Sequence, residues 1–123
     1  MLLYVEDEVL IQEAVVAALT EAGYEVVTAE DVDRARTLIA DHGADLRALV
    51  TDINLGDGPD GWVVAREARE KFPALAIVYV SAASEHQWAS QGVPGSVTIA
   101  KPFAAAQLVV AVSTLLVASS PGG

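Results

Sequence analysis

Three runs in this chain place acidic or hydroxyl side chains where an apolar stretch stops: Val5-Glu6-Asp7-Glu8, Thr51-Asp52-Ile53-Asn54 and Val80-Ser81. A fourth, Ile99-Ala100-Lys101-Pro102-Phe103, supplies an ammonium. Carboxylates held a few Å apart in a partly desolvated pocket repel one another and need a cation to stay ionised together. A hard divalent ion meets that need, and Mg²⁺ in particular takes oxygen ligands, keeps several waters and commonly joins one or two carboxylates to phosphate oxygens. The chemistry that follows is phosphoryl transfer. Asp52 would act as a carboxylate nucleophile and become an acyl phosphate, with the metal and Lys101 neutralising the charge that develops. The Ser81 hydroxyl would then donate a hydrogen bond to the arriving phosphoryl oxygens.

Such a site requires a fold that brings all four runs to one rim. Two patterns alternate along the chain: apolar runs of strand length, and longer stretches whose apolar residues recur every three or four positions. Strands are predicted at 2–5, 25–28, 48–51, 76–80 and 97–99. Most lack in/out alternation, as expected where helices cover both faces of a parallel sheet. Helices are predicted at 9–22, with Leu10, Ala14, Ala17 and Ala18 facing inward and Gly23 as terminator, and at 32–41, with Asp31 as N-cap and Val32, Ala35, Leu38 and Ile39 inward. A third starts near Gly61, carries Val64, Ala65, Ala68 and Phe72, and stops at Pro73; a short fourth opens on the capping box Ser84-Glu85-His86-Gln87; a fifth covers 104–117. Five strands alternating with five helices predict an α/β fold, a doubly wound five-stranded parallel sheet, flavodoxin-like, with strand order 2-1-3-4-5. In that order ligands bind at the crevice between the first and third strands, so Glu6 and Asp7 become neighbours of Asp52.

The 123 residues, 53% hydrophobic, predict one domain over 1–118 and a linker-like tail, 119–123. The absence of cysteine excludes a disulfide framework and a thiolate metal site. The start of the chain turns acidic too early for a signal peptide, which together with the missing cysteines predicts a cytoplasmic location. Seventeen acidic residues against seven basic ones give a formal charge of -10, which repels a phosphate backbone, so direct nucleic-acid binding is not expected. The most apolar stretch, 104–118, is shorter than the roughly 20 residues a membrane span needs, and no membrane partner is expected.

With Glu6-Asp7, Asp52-Ile53-Asn54, Ser81-Ala82 and Lys101-Pro102-Phe103 each at the end of a successive strand, the chain over 2–117 resembles a bacterial two-component response-regulator receiver domain, CheY-like. The resemblance implies that Asp52 is the phosphoacceptor, Asp7 a direct Mg²⁺ ligand, Glu6 an acid holding the metal through water, and Asn54 a donor of its backbone carbonyl. It implies that Lys101 pairs with the phosphoryl group, that Ser81 is the switch hydroxyl, and that the Lys101-Pro102 bond is cis. The donor would be a phosphohistidine on a histidine kinase or histidine phosphotransfer protein, the output a changed partner-binding surface, and the domain not an enzyme. The fifth helix, with Leu108, Val109, Val110, Val112, Leu115, Leu116 and Val117, has little polar surface, which predicts self-association as a homodimer or kinase docking through it.

One position departs from the receiver pattern: Thr98 stands where the family often has an aromatic residue on the fifth strand that swings inward on activation. Backbone movement after Ser81, or His86 or Trp88, would then carry the switch. Glu8 reads best as an acid favoured at a helix start, and Trp62 as packing against the third helix, with an exposed partner contact as the alternative. Two other functions remain open at this level. A Mg²⁺-dependent aspartyl-nucleophile phosphatase would share the site but usually carries a second acid two positions after the nucleophile, where this chain has Asn54. A receiver-like binding module independent of phosphate is the other.

Overall fold

A computed structural model describes residues 1–55, 61–81 and 92–118. Along the chain it gives β1 (Leu2–Val5), α1 (Val9–Glu21), β2 (Val26–Ala29), α2 (Val32–His42), a short 3₁₀ turn (Gly43–Asp45), β3 (Ala48–Asp52), α3 (Gly61–Lys71), β4 (Ala76–Ser81), β5 (Val97–Ala100) and α4 (Ala105–Ala118). The strands form one parallel sheet in the order β2-β1-β3-β4-β5, the predicted flavodoxin-like order. Element ends fall within about a residue of those expected from the sequence. The predicted short helix after Ser84, the glycines 56 and 58, and the tail lie outside the described residues.

Both faces of the sheet are covered, which is why its strands read as continuous apolar runs. Leu3, Val5, Leu49, Ile77 and Tyr79 point to one side and pack with α2 and α3 through Ala35, Leu38, Val64 and Ala68. Leu2, Tyr4, Val50, Val78 and Val80 point to the other and pack with α1 and α4 through Val15, Leu19, Leu108 and Val112. The period of two along each strand thus sorts neighbouring residues into two separate cores. At the start of α2 the Asp31 carboxylate accepts the Arg34 N–H at 2.7 Å, satisfying one of the donors that a helix start leaves without a partner.

The inner side of α1 differs from expectation. Its buried residues are Val15 and Leu19, with Ile11 and Val16 partly buried beside them, whereas Leu10 is 81% exposed and Ala14 and Ala17 lie on the outside. The helix is apolar on several sides, so spacing alone did not choose among faces; Val15 and Leu19 took the sheet, and Leu10, Ala14 and Ala17 were left outside. In the last helix, now α4, Leu108, Val112 and Leu116 are buried at a strict interval of four, and Val110 and Val117 are exposed.

Candidate functional site

Strand register builds the site. In the β1–β3 pair Val5 lies opposite Thr51, so the next residues, Glu6 and Asp52, leave the sheet side by side at its carboxyl edge. Both are almost fully buried, at 1% and 3% exposure. Lys101, which follows β5, reaches back to them: its Nζ lies 2.8 Å from Asp52 Oδ2 and 3.3 Å from Glu6 Oε1, with Glu8 Oε1 at 3.7 Å. The Lys101 N–H donates to the Ser81 carbonyl at 2.8 Å, which ties the lysine to the end of β4, and the Lys101-Pro102 peptide bond is cis.

Asp52 is oriented from several directions. Its Oδ1 accepts the Asn54 N–H at 3.0 Å. The Thr51 hydroxyl donates to its carbonyl at 2.9 Å, and Gly61 N–H donates to the Ile53 carbonyl at 2.9 Å. At Gly61 a Cβ would overlap the Asp52 carbonyl and press on Thr51 Oγ1, so the start of α3 can approach the backbone of Asp52 only without a side chain. Gly61 is followed by Trp62, 4% exposed, whose ring centroid lies 4.5 Å from that of Tyr79 on β4.

The electrostatics follow from crowding two acids against one ammonium. Burial pushes the Glu6 carboxyl up to about 7, and its hydrogen bond to Asp52 and the Asp52 charge add to the rise, against Lys101 and the Glu8 N–H. Burial works against the Lys101 ammonium, but its bond to Asp52, the Asp52 charge and Glu6 together hold it above its ordinary value. The Tyr4 phenol, raised by burial and then by Glu6, stays protonated and donates to Glu6 Oε1 at 3.3 Å.

Oxygen donors suited to a hard cation converge here. The carboxylates of Glu6, Asp7 and Glu8 place one oxygen each within 4.8 Å of one another, with Asp7 and Glu8 facing solvent and Glu6 linking them to Asp52. This donor set, all oxygen and partly exposed, fits Mg²⁺ and does not suit a softer metal. Beside Lys101 an open apolar groove of about 560 Å³ is lined by Leu10, Ile11, Ala14, Pro102 and Phe103 among others.

The residues singled out from the sequence that lie among the described ones can now be placed. Glu6, Asp52 and Lys101 meet directly, Asp7 joins Glu6, the Asn54 backbone meets Asp52, and Ser81 is fully buried at the end of β4 beside them. Glu8 stands at the start of α1 as expected, but its side chain makes no capping bond and turns to the acid cluster instead. Thr98 pairs with Tyr79 across β4 and β5, and its Oγ1 is buried with no hydrogen-bond partner among the described residues. His86 and Trp88 lie outside those residues. Sequence reasoning passed over Tyr4 and Tyr79. The signal for Tyr4 was available: it sits on β1 two residues before Glu6, the interval that puts side chains of an extended chain on one face.

Comparison with known proteins agrees with this fold. The family model of the response regulator receiver domain matches residues 2–113. The chain is 33% identical to the phosphate regulon transcriptional regulatory protein PhoB of Pseudomonas aeruginosa over 98% of its own length, and spans 53% of that relative. Among solved structures, a response regulator receiver protein from Sinorhizobium medicae superposes with a TM-score of 0.91 at 41% identity, covering 97% of this chain and 95% of the other. The receiver domain of NtrX from Brucella abortus gives 0.82 at 31% identity, covering 94% and 98%. With five parallel strands in the order 2-1-3-4-5 and a receiver family model matched over most of its length, the chain belongs to the response regulator receiver domain family.

Proposed function

We propose that this domain accepts a phosphoryl group from a phosphohistidine onto Asp52, with Mg²⁺ bound, and signals by changing a partner-binding surface. The observation that carries the reading is Lys101 Nζ bridging the buried Asp52 and Glu6 side chains at 2.8 and 3.3 Å. In the reaction an Asp52 carboxylate oxygen attacks phosphorus, the P–N bond of the donor breaks, and its electron pair stays on the departing imidazole. Glu6, Asp7, Asp52 and the Asn54 carbonyl would hold Mg²⁺, which when bound neutralises charge on the transferring phosphoryl oxygens. Asn54 N–H fixes one Asp52 oxygen, and Lys101 turns from the other toward the incoming group. Ser81, bound through its carbonyl to Lys101, is placed to respond at the end of β4.

A histidine kinase or histidine phosphotransfer protein is the partner this family implies, and the apolar groove around Leu10 and Phe103, next to Lys101, gives a helix of that partner a surface adjoining Asp52. Self-association through α4 would rest on Val110 and Val117. Because PhoB is a transcriptional regulatory protein by name and about half of it is matched here, the weak nucleic-acid affinity expected from the acidic charge concerns these residues alone. Asn54, where an aspartyl phosphatase would carry its second acid, favours stoichiometric phosphorylation over turnover.

The test is incubation with acetyl phosphate and Mg²⁺ followed by intact-mass measurement. The native chain gains one phosphoryl group and Asp52→Asn none. Repeated turnover of a small phosphate ester would instead favour the phosphatase, and an unlabelled native chain the phosphate-independent module.

A further inference from the structure

Tyr4 is an unusual residue to find at the centre of a sheet covered on both faces. It is fully buried among Leu2, Val50 and Val78 of the core shared with α1 and α4, and a buried phenol needs a partner for its hydroxyl. That partner is Glu6 Oε1, at 3.3 Å. The same oxygen faces Lys101 Nζ at 3.3 Å, while Glu6 Oε2 accepts the Glu8 N–H at 3.4 Å. One carboxylate oxygen is thus held from beneath by the sheet interior, and the other is turned to the chain segment that bears Asp7 and Glu8.

We propose that Tyr4 is a positioning residue for the cation site: its hydroxyl holds one oxygen of Glu6 inside the sheet so that the other stays with the Asp7 and Glu8 carboxylates. This rests on the reading of the acid cluster as a Mg²⁺ site. Glutamate has one more rotatable bond than aspartate, so an acid of this length needs an anchor to present an oxygen at a fixed place. Lys101 cannot be that anchor throughout, because it also serves Asp52 and would turn toward a phosphoryl group. Among the described residues the Tyr4 hydroxyl serves Glu6, and the side chain is shut off from solvent. In this scheme the phenol never touches metal or phosphate, and acts only through Glu6.

The inference is tested by titrating the full chain with Mg²⁺ alone, following the amide resonances of Asp7 and Glu8, in the native protein, Tyr4→Phe and Tyr79→Phe. Tyr79 is the matching control: it is equally buried, its hydroxyl accepts the Val93 N–H at 3.2 Å, and it lies in the opposite core. Tyr4→Phe should need about tenfold more Mg²⁺ for half-saturation, the low end of what loss of an outer-sphere hydrogen bond costs a metal site, while Tyr79→Phe stays within twofold of native. The native chain gives a second readout that requires no variant: the ring resonances of Tyr4 should shift with Mg²⁺ and those of Tyr79 should not. A Tyr4→Phe midpoint within twofold of native, or a Tyr4 ring insensitive to Mg²⁺ that the native chain does bind, overturns the inference and leaves the proposed function standing. A native chain that binds no Mg²⁺ overturns both.

Discussion

Glu6 provides a direct thermodynamic test of the site. Burial, with Asp52 beside it, pushes its carboxyl from an ordinary 4.5 up to about 7. A folded-state value above the unfolded one means that the folded chain binds the proton more tightly. The associated stability is fully present below about pH 4.5 and is lost as pH rises through 7. The rise from 4.5 to about 7, at 1.36 kcal/mol per pH unit, sets roughly 3 kcal/mol as the ceiling on the loss. Glu6→Gln keeps the size and a hydrogen-bond donor toward Asp52 but cannot ionise. In urea unfolding with a chelator present, native and variant should therefore converge near pH 5, and by pH 8 the variant should be the more stable by up to about 3 kcal/mol. Taking the difference between the two chains cancels the general repulsion of a domain with charge -10. Mg²⁺ should restore the native chain at pH 8 far more than the variant. A difference between the two that does not change with pH, or a variant less stable than native at pH 8, would refute the reasoning.

Three further outcomes are expected. Gly61→Ala drives a Cβ into the Asp52 carbonyl and should destabilise by about 1–3 kcal/mol in urea unfolding while slowing acetyl-phosphate labelling. Leu10→Asp, on an 81% exposed side chain in the apolar groove, should leave acetyl-phosphate labelling unchanged and slow transfer from a phosphohistidine protein about tenfold or more, as measured by gel transfer assays. Val110→Glu combined with Val117→Glu should abolish any concentration-dependent association of the native chain in sedimentation, with labelling unaffected.

The fold was legible because the feature that hides strand orientation in such proteins, apolar residues on both faces, also marks a parallel sheet covered by helices. Runs such as Leu49-Val50 and Ile77-Val78 could be nothing but interior, and the chemistry-bearing residues stood where those runs stopped. Helix faces were legible only where polar residues alternate with apolar ones. In α2, Asp33, Arg34 and Arg36 left one inner stripe; in α1, with Val9, Leu10, Ile11, Ala14, Val15, Val16, Ala17 and Ala18 in close succession, the choice depended on which side chains filled the space over the sheet. The site's members could be named from strand ends, but not their order of contact. That Glu6 is more buried than Asp7, that Lys101 spans two acids, and that Glu8 turns from its helix are consequences of packing depth and side-chain reach, which one-dimensional spacing does not encode.

The contact between Gly61 and Asp52 has a mechanical corollary. With the backbone of Gly61 close against the backbone of Asp52 at the first turn of α3, that flank of the aspartate is a hard stop. A shift of the Asp52 backbone toward α3 is therefore blocked by contact, so the end of β3 keeps its place against that helix.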